Sequence, residues 1–299
     1  MLSCVLNISE GRDVALIDRL ATRAGAALMD VHRDSDHHRS VFTLAGDDAA
    51  CEAAARAVAE AAVAAIDVGK HAGEHPRLGS VDVVPFVPLL PDALPDALGG
   101  ADLSAACAAR DRFCAWMADH LGVPCFCYGP LAGGERSLVE IRRRAFDGLA
   151  PDAGPLHPHP RAGAVCVGAR RALIAYNLVL STPDPAIARR LAAALRSPAV
   201  RALGFVVTAG AQVSCNLVAP WSVGPSEVFA RLARLAAPQG VRIVATELVG
   251  LLPRSLVEAI PPSEWPRLDL GLERTLEARL CRERPSTERG AAGGSTPVR

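Results

Sequence analysis

The sequence predicts an α+β fold: two tandem β-α-β-β-α-β subdomains, each an antiparallel sheet covered by helices. Three observations predict it. Half of the 299 residues are hydrophobic, enough for a large core divided between two subdomains. The order strand, helix, strand, strand, helix, strand can be read before residue 90, and the same order returns after residue 171. The repeat lies in element order only, and it is the split-βαβ, ferredoxin-like arrangement, a sheet with its helices on one face.

Each element has a local reason. Residues 2–8 alternate as a strand does, and over 13–24 Val14, Ile17, Leu20 and Ala21 share a helical stripe. Segments 27–32 and 40–46 read as strands flanking the polar turn Asp34-Ser35-Asp36-His37-His38-Arg39. Asp47 and Asp48 are N-cap candidates for a long alanine-rich helix that Gly69 ends, and 80–88 carries valines and Phe86 at strand spacing. In the second half, 172–180 is a strand and Thr182-Pro183-Asp184-Pro185 opens a helix through Ala193. Strands over 203–208 and 212–218 flank Ala209-Gly210-Ala211 as a hairpin, followed by a helix over 225–236 and a strand over 241–248. An elaboration over 92–150 includes a helix at 103–121, and the proline- and glycine-rich stretch 151–163 joins the halves. The predicted units are 1–170 and 171–282, followed by a polar tail, 283–299, without apolar periodicity and expected to be disordered.

Composition removes several classes of function. Basic and acidic residues balance at 32 each, which argues against a nucleic-acid groove or a polybasic membrane patch. Lys70 is the only lysine, a bias that, with the abundant alanine, fits a GC-rich genome. The start, Met1-Leu2-Ser3-Cys4, has no basic segment leading into an apolar stretch, and no apolar run reaches bilayer-spanning length. Reduced thiols and a cytoplasmic location are therefore expected for the nine cysteines. Cys125 and Cys127 would face one side of a strand, and no second pair at finger spacing suggests a metal.

Chemistry concentrates in histidine-bearing turns. All eight histidines precede Cys166, and six fall in three clusters: His37 with His38, His71 with His75, His157 with His159. Each lies outside the predicted elements, where solvated turns and presented sites both occur. His71-Ala72-Gly73-Glu74-His75-Pro76 spells the inverted zinc-peptidase pattern H-x-x-E-H. That site needs a helix, whereas Gly69 has ended one, Gly73 interrupts the motif and Pro76 disfavours helical geometry at His75. The turn suits either a structural histidine or a general base titrating near neutrality, with Glu74 close enough to set its tautomer. The stretch Gly154-Pro155-Leu156-His157-Pro158-His159-Pro160-Arg161-Ala162-Gly163 is either a plain connector or a stiffened loop offering two imidazoles and a guanidinium to an aromatic, carboxylate-bearing ligand. Its bracketing glycines would suit backbone that approaches a ligand closely.

Several segments, in order, resemble glutamate formiminotransferases: Cys4-Val5-Leu6-Asn7-Ile8-Ser9-Glu10-Gly11-Arg12, His38-Arg39-Ser40-Val41-Phe42-Thr43 and His71-Ala72-Gly73-Glu74-His75-Pro76-Arg77-Leu78-Gly79. Tyr128-Gly129, Gly168-Ala169-Arg170, Ile174-Ala175-Tyr176-Asn177, Gln212-Val213-Ser214 and Leu248-Val249-Gly250-Leu251 continue the likeness over about residues 2–260. The remainder leaves no room for a cyclodeaminase domain, so the chain looks like the stand-alone transferase. The resemblance implies the two ferredoxin-like subdomains, His75 as catalytic histidine, Arg39 in the active-site region, the stretch from Gly154 to Gly163 as folate contact, and a homodimer. Two departures stand out. His38 replaces a common asparagine, and His32 falls where bifunctional mammalian members place an aspartate.

The implied reaction moves a formimino group from N-formimino-L-glutamate to N5 of tetrahydrofolate, a co-substrate, with no metal, nucleic acid or membrane involved. His75 would carry the proton, Glu74 orient it, and Arg39 and Arg77 hold carboxylates. The alternatives are a 5-formyltetrahydrofolate:glutamate formyltransferase, a folate- or amino-acid-binding module without turnover, and the metallohydrolase set aside above.

Overall fold

The computed structural model describes residues 1–71, 77–89 and 102–282, and the statements below concern these. Glu74 and His75, with Gly73 and Pro76, lie outside the described residues, as does the tail from 283.

The first layer runs β1 (Leu2–Ile8), α1 (Val14–Ala24), β2 (Leu28–Asp34), β3 (Arg39–Gly46), α2 (Asp48–Ala65) and β4 (Val81–Pro88), in the spatial order β2-β3-β1-β4. These four strands are antiparallel, with Leu6 opposite Phe42. The second layer runs β8 (Ile174–Leu180), α5 (Pro185–Leu195), β9 (Val200–Val207), β10 (Gly210–Leu217), α6 (Pro225–Ala236) and β11 (Ile243–Val249), ordered β11-β8-β10-β9 and again antiparallel. Both sheets thus have the predicted ferredoxin-like order. Short helices α7 (Arg254–Glu258) and α8 (Leu276–Arg282) follow.

The elaboration departs from the purely antiparallel expectation for the first sheet. It supplies α3 (Ser104–Leu121), β5 (Cys125–Leu131), β6 (Gly134–Arg136), α4 (Leu138–Arg144) and β7 (Val165–Ala169), and the first sheet grows to seven strands. β7 joins parallel to both β4 and β5, with Cys166 opposite Val83 and Phe126. Parallel neighbours need long crossovers, which the chain carrying α3 and α4 provides.

Caps explain the helix starts. Asp13, Asp47 and Asp184 each accept a backbone N–H of the first turn of α1, α2 and α5. The stripe of α1 buries Leu16, Ile17, Leu20 and Ala24, while Val14 faces outward. The hairpin turn falls on Thr208 and Ala209, one residue earlier than predicted, because Val207 pairs with Gly210.

One core lies between the first sheet and α1, α2 and α3, with Leu6, Phe42, Phe86, Phe113 and Met117 fully enclosed. Each such side chain contributes roughly 1.5–3 kcal/mol through burial. Cys114, Cys125 and Cys127 belong to it, the Sγ atoms of Cys114 and Cys127 standing 3.1 Å apart. On the other face, α4 seals a smaller cluster of Val83, Phe126, Tyr128, Ile141 and Cys166. The second sheet has its own core, centred on Tyr176, Leu178, Val213 and Leu248. Alternation along its strands turns Asn177 and Gln212, both 3% exposed, to the opposite face. No described helix is long and apolar enough to cross a membrane.

Gly204 on β9 lies close against the backbone of α5. A Cβ there would lie 2.5 Å from the backbone of Ala188 and Arg189 in α5. Gly204→Ala is expected to destabilise by about 1–3 kcal/mol through overpacking, read as a lower melting temperature. An unchanged melting temperature would contradict this packing.

Candidate active site

The turn between β2 and β3 is the hub. Asp34 Oδ1 accepts the His37 N–H at 2.8 Å, and His38 sits in the left-handed region, with φ 48°. Among non-glycine residues this region favours Asn, Asp and His, so a histidine suits this position. Arg77 then donates from Nη2 to the His37 carbonyl (3.0 Å) and from Nη1 to the His38 carbonyl (3.2 Å).

Four ionisable groups stack around this clip. Glu10 Oε1 accepts the backbone N–H of Arg12 (2.7 Å) and Asp13 (2.9 Å), and His38 Nε2 lies 3.1 Å from it. The His38 ring stacks on His71, centroids 3.7 Å apart, and Arg77 Nη1 approaches His71 Nε2 at 2.7 Å. Burial, then the Arg77 charge and His38, push the His71 pKa down to about 4, so its ring is neutral. Burial raises the Glu10 pKa, but the two N–H donors and His38 outweigh it and hold the carboxylate below its ordinary range.

The same turn reaches the second sheet. His37, 1% exposed, places Nε2 2.8 Å from Gln212 Oε1 and sets its ring edgewise on Phe205 at 5.0 Å. Asp36 accepts both the backbone N–H (2.8 Å) and the hydroxyl (2.6 Å) of Thr208. His32 Nε2 lies 3.1 Å from Glu247 Oε1, while Glu247 Oε2 accepts from Asn177 Nδ2 at 2.8 Å. Hydrogen bonding to His32 leads in lowering the Glu247 pKa, against burial. Gln212, Asn177 and Glu247 were not among the predicted site residues. Only Asn177 had a signal, an amide within the otherwise largely apolar strand Ile174–Leu180.

Arg39 opens β3, and its partly buried guanidinium lies among Asp82, Asp34, Arg142 and Arg77. Asp82 Oδ1 accepts the Leu78 N–H at 2.7 Å and its Oδ2 accepts Arg142 Nη2 at 2.6 Å. The predicted role of Arg77 as a carboxylate clamp changes here, because its donors hold the turn carbonyls and face His71.

The loop from Gly154 to Gly163 is fastened to the described chain on both sides of residues 72–76. Val68 N–H donates to the Arg161 carbonyl (2.8 Å), Ser80 N–H to that of Ala162 (2.9 Å), and Ala164 N–H to that of Leu78 (3.0 Å). His159 Nδ1 accepts from the backbone N–H of Ala162 (2.9 Å) and Arg161 (3.2 Å), so this imidazole ties the loop together. The glycines need another reason than the one predicted. Gly163 has φ +69° and a Cβ there would stand 2.2 Å from the Leu78 carbonyl oxygen, while one at Gly154 would meet Ala118 and Pro124. Both glycines therefore admit the chain's own backbone. Pro155 is partly buried and Ala162 buried, whereas Leu156 (74% exposed), His157, Pro158, Pro160 and Arg161 face outward.

The His71 environment has a pH signature. Its folded pKa of about 4 lies below the ordinary 6.5. The unfolded chain therefore takes up this proton first, and stability falls as pH drops through that window. His71→Asn is expected to flatten the fall in melting temperature between about pH 6.5 and 4. Parallel curves for both proteins would contradict the buried, cation-facing placement.

Known proteins complete the picture. The sequence model described as "Formiminotransferase domain, N-terminal subdomain" matches residues 1–170. The chain is 34% identical over 275 residues to the glutamate formimidoyltransferase of Streptococcus pyogenes serotype M1, covering 85% of this chain and 89% of that one. The Thermoplasma acidophilum glutamate formimidoyltransferase is 34% identical over 279 residues, 85% of this chain and 88% of its own. The formimidoyltransferase-cyclodeaminase of Sus scrofa is 32% identical over 289 residues, which cover 87% of this chain but only 51% of that longer protein. With a fold that agrees with this likeness, the chain belongs to the formiminotransferase family.

Proposed function

We propose that this protein is a glutamate formimidoyltransferase that moves the formimino group of N-formimino-L-glutamate to N5 of tetrahydrofolate, giving 5-formiminotetrahydrofolate and L-glutamate. The observation that carries the reading is the near full-length likeness to two glutamate formimidoyltransferases. The fixed placement of both flanks of the 72–76 turn supports it.

The chemistry requires N5 to attack the formimino carbon, forming a tetrahedral intermediate that expels the glutamate amine. N5 must lose a proton and the leaving nitrogen must gain one. His75 carries that proton in both directions, Glu74 orients its ring, and Arg39 holds a substrate carboxylate. The loop from Gly154 to Gly163 receives tetrahydrofolate, with Leu156 and His157 outermost. Nine unpaired cysteines fit a reducing cytoplasm. On the same reading the protein is a homodimer without a metal. Its two subdomains meet at 170/171, in the gap between β7, which ends at Ala169, and β8, which begins at Ile174.

His75→Ala should lose roughly 10²- to 10⁴-fold in kcat while still binding tetrahydrofolate. Near-wild-type turnover would remove His75 from its role. Leu156→Asp should raise the tetrahydrofolate KM by about tenfold, the equivalent of one lost apolar contact, and leave the melting temperature unchanged. An unchanged KM would move folate away from this loop.

A further inference from the structure

The charges of Asp82, Asp34, Arg142 and Arg77 all act on the guanidinium of Arg39. Most of these groups are engaged. Arg77 holds the His37 and His38 carbonyls, Asp34 Oδ1 holds the His37 N–H, and Asp82, 2% exposed, holds Arg142 and the Leu78 N–H. Arg39 is left with no carboxylate within ion-pair distance among the described residues. A partly desolvated guanidinium that neutralises nothing is unfavourable until an anion reaches it. Burial accordingly presses its pKa down, while Asp82, foremost of its neighbours, supports its charge from a distance.

Of the carboxylates acting on Arg39, Asp82 acts most strongly, and its Oδ2 is held by Arg142 at 2.6 Å. Arg142 comes from α4, within the elaboration that a bare β-α-β-β-α-β unit lacks. We propose that the Asp82–Arg142 ion pair is a positioning device that keeps the Arg39 guanidinium available to a carboxylate of the amino-acid substrate. The substrate class rests on the function proposed above, and the charge arrangement stands on its own.

The test compares the full-length wild type, Arg142→Met and the double variant Arg142→Met/Asp82→Asn. In the single variant Asp82 turns to Arg39 and competes with substrate. The KM for N-formimino-L-glutamate should rise about 10- to 100-fold, the worth of one hydrogen bond between charged groups, with the tetrahydrofolate KM unchanged. In the double variant the neutral amide at position 82 can still accept the Leu78 N–H but no longer competes, and that KM should return to within about threefold of wild type. Arg142→Gln replaces Arg142→Met if the latter does not fold. An unchanged KM in the single variant, or a double variant no better than the single, overturns the proposal. If the wild type does not turn over N-formimino-L-glutamate, the proposed function fails on its own account. Calorimetric titration with L-glutamate then reads the same three proteins: loss and rescue of binding sustain the inference, and absence of binding to wild type overturns it.

Discussion

The guanidinium of Arg77 joins the parts of this molecule that have to meet. It closes on two successive carbonyls, those of His37 and His38, and these point together because His38 adopts the left-handed conformation. From that one clip the turn extends in three directions. His38 reaches back to Glu10 at the end of β1, His37 crosses to Gln212 in β10, and His71 is trapped between His38 and Arg77. The chain following Arg77 is fastened in turn by Asp82 and by the Ala162 and Ala164 backbone. Were Arg77 lost, the His37 and His38 carbonyls would lose these donors, and both flanks of the 72–76 turn would loosen at once.

Electrostatics explain why so many polar groups tolerate burial here. Each carboxylate has a donor of its own: Glu10 two backbone N–H groups, Asp82 an arginine and an N–H, Glu247 an amide. Hydrogen bonding of this kind offsets the desolvation that an isolated charge would suffer. His71 resolves its position beside a cation by staying neutral. Among the described residues Arg39 is the exception, and a partly buried cation without an ion pair is where an anionic substrate is most naturally received.

Much of the fold was legible because its signals are local. Apolar alternation marked Leu2–Ile8, and Asp47 announced its helix through a side-chain cap. The parallel addition of β5 and β7 was not legible. Cys125–Leu131 and Val165–Ala169 are short apolar runs whose neighbours are chosen by tertiary packing. Of the histidines that the sequence singled out, the fold brings His37, His38 and His71 together at Arg77. What sequence could not show is what each group faces. Arg77 looked like a carboxylate clamp until its carbonyl partners were seen, and Gly163 looked like a ligand contact although the Leu78 carbonyl occupies its open side. Asn177, Gln212 and Glu247 are distant in sequence from the turn they meet, so only the folded chain brings them there.

The proposed function depends on which one-carbon unit is transferred and in which direction. The most direct measurement mixes the wild-type protein with tetrahydrofolate and N-formimino-L-glutamate, follows the folate spectrum and quantifies released glutamate. In a parallel reaction, 5-formyltetrahydrofolate and L-glutamate are supplied instead. The account predicts 5-formiminotetrahydrofolate and L-glutamate in equal amounts from the first mixture, faster than any formyl transfer in the second. Formyl transfer alone, or folate binding with no transfer in either mixture, would contradict it.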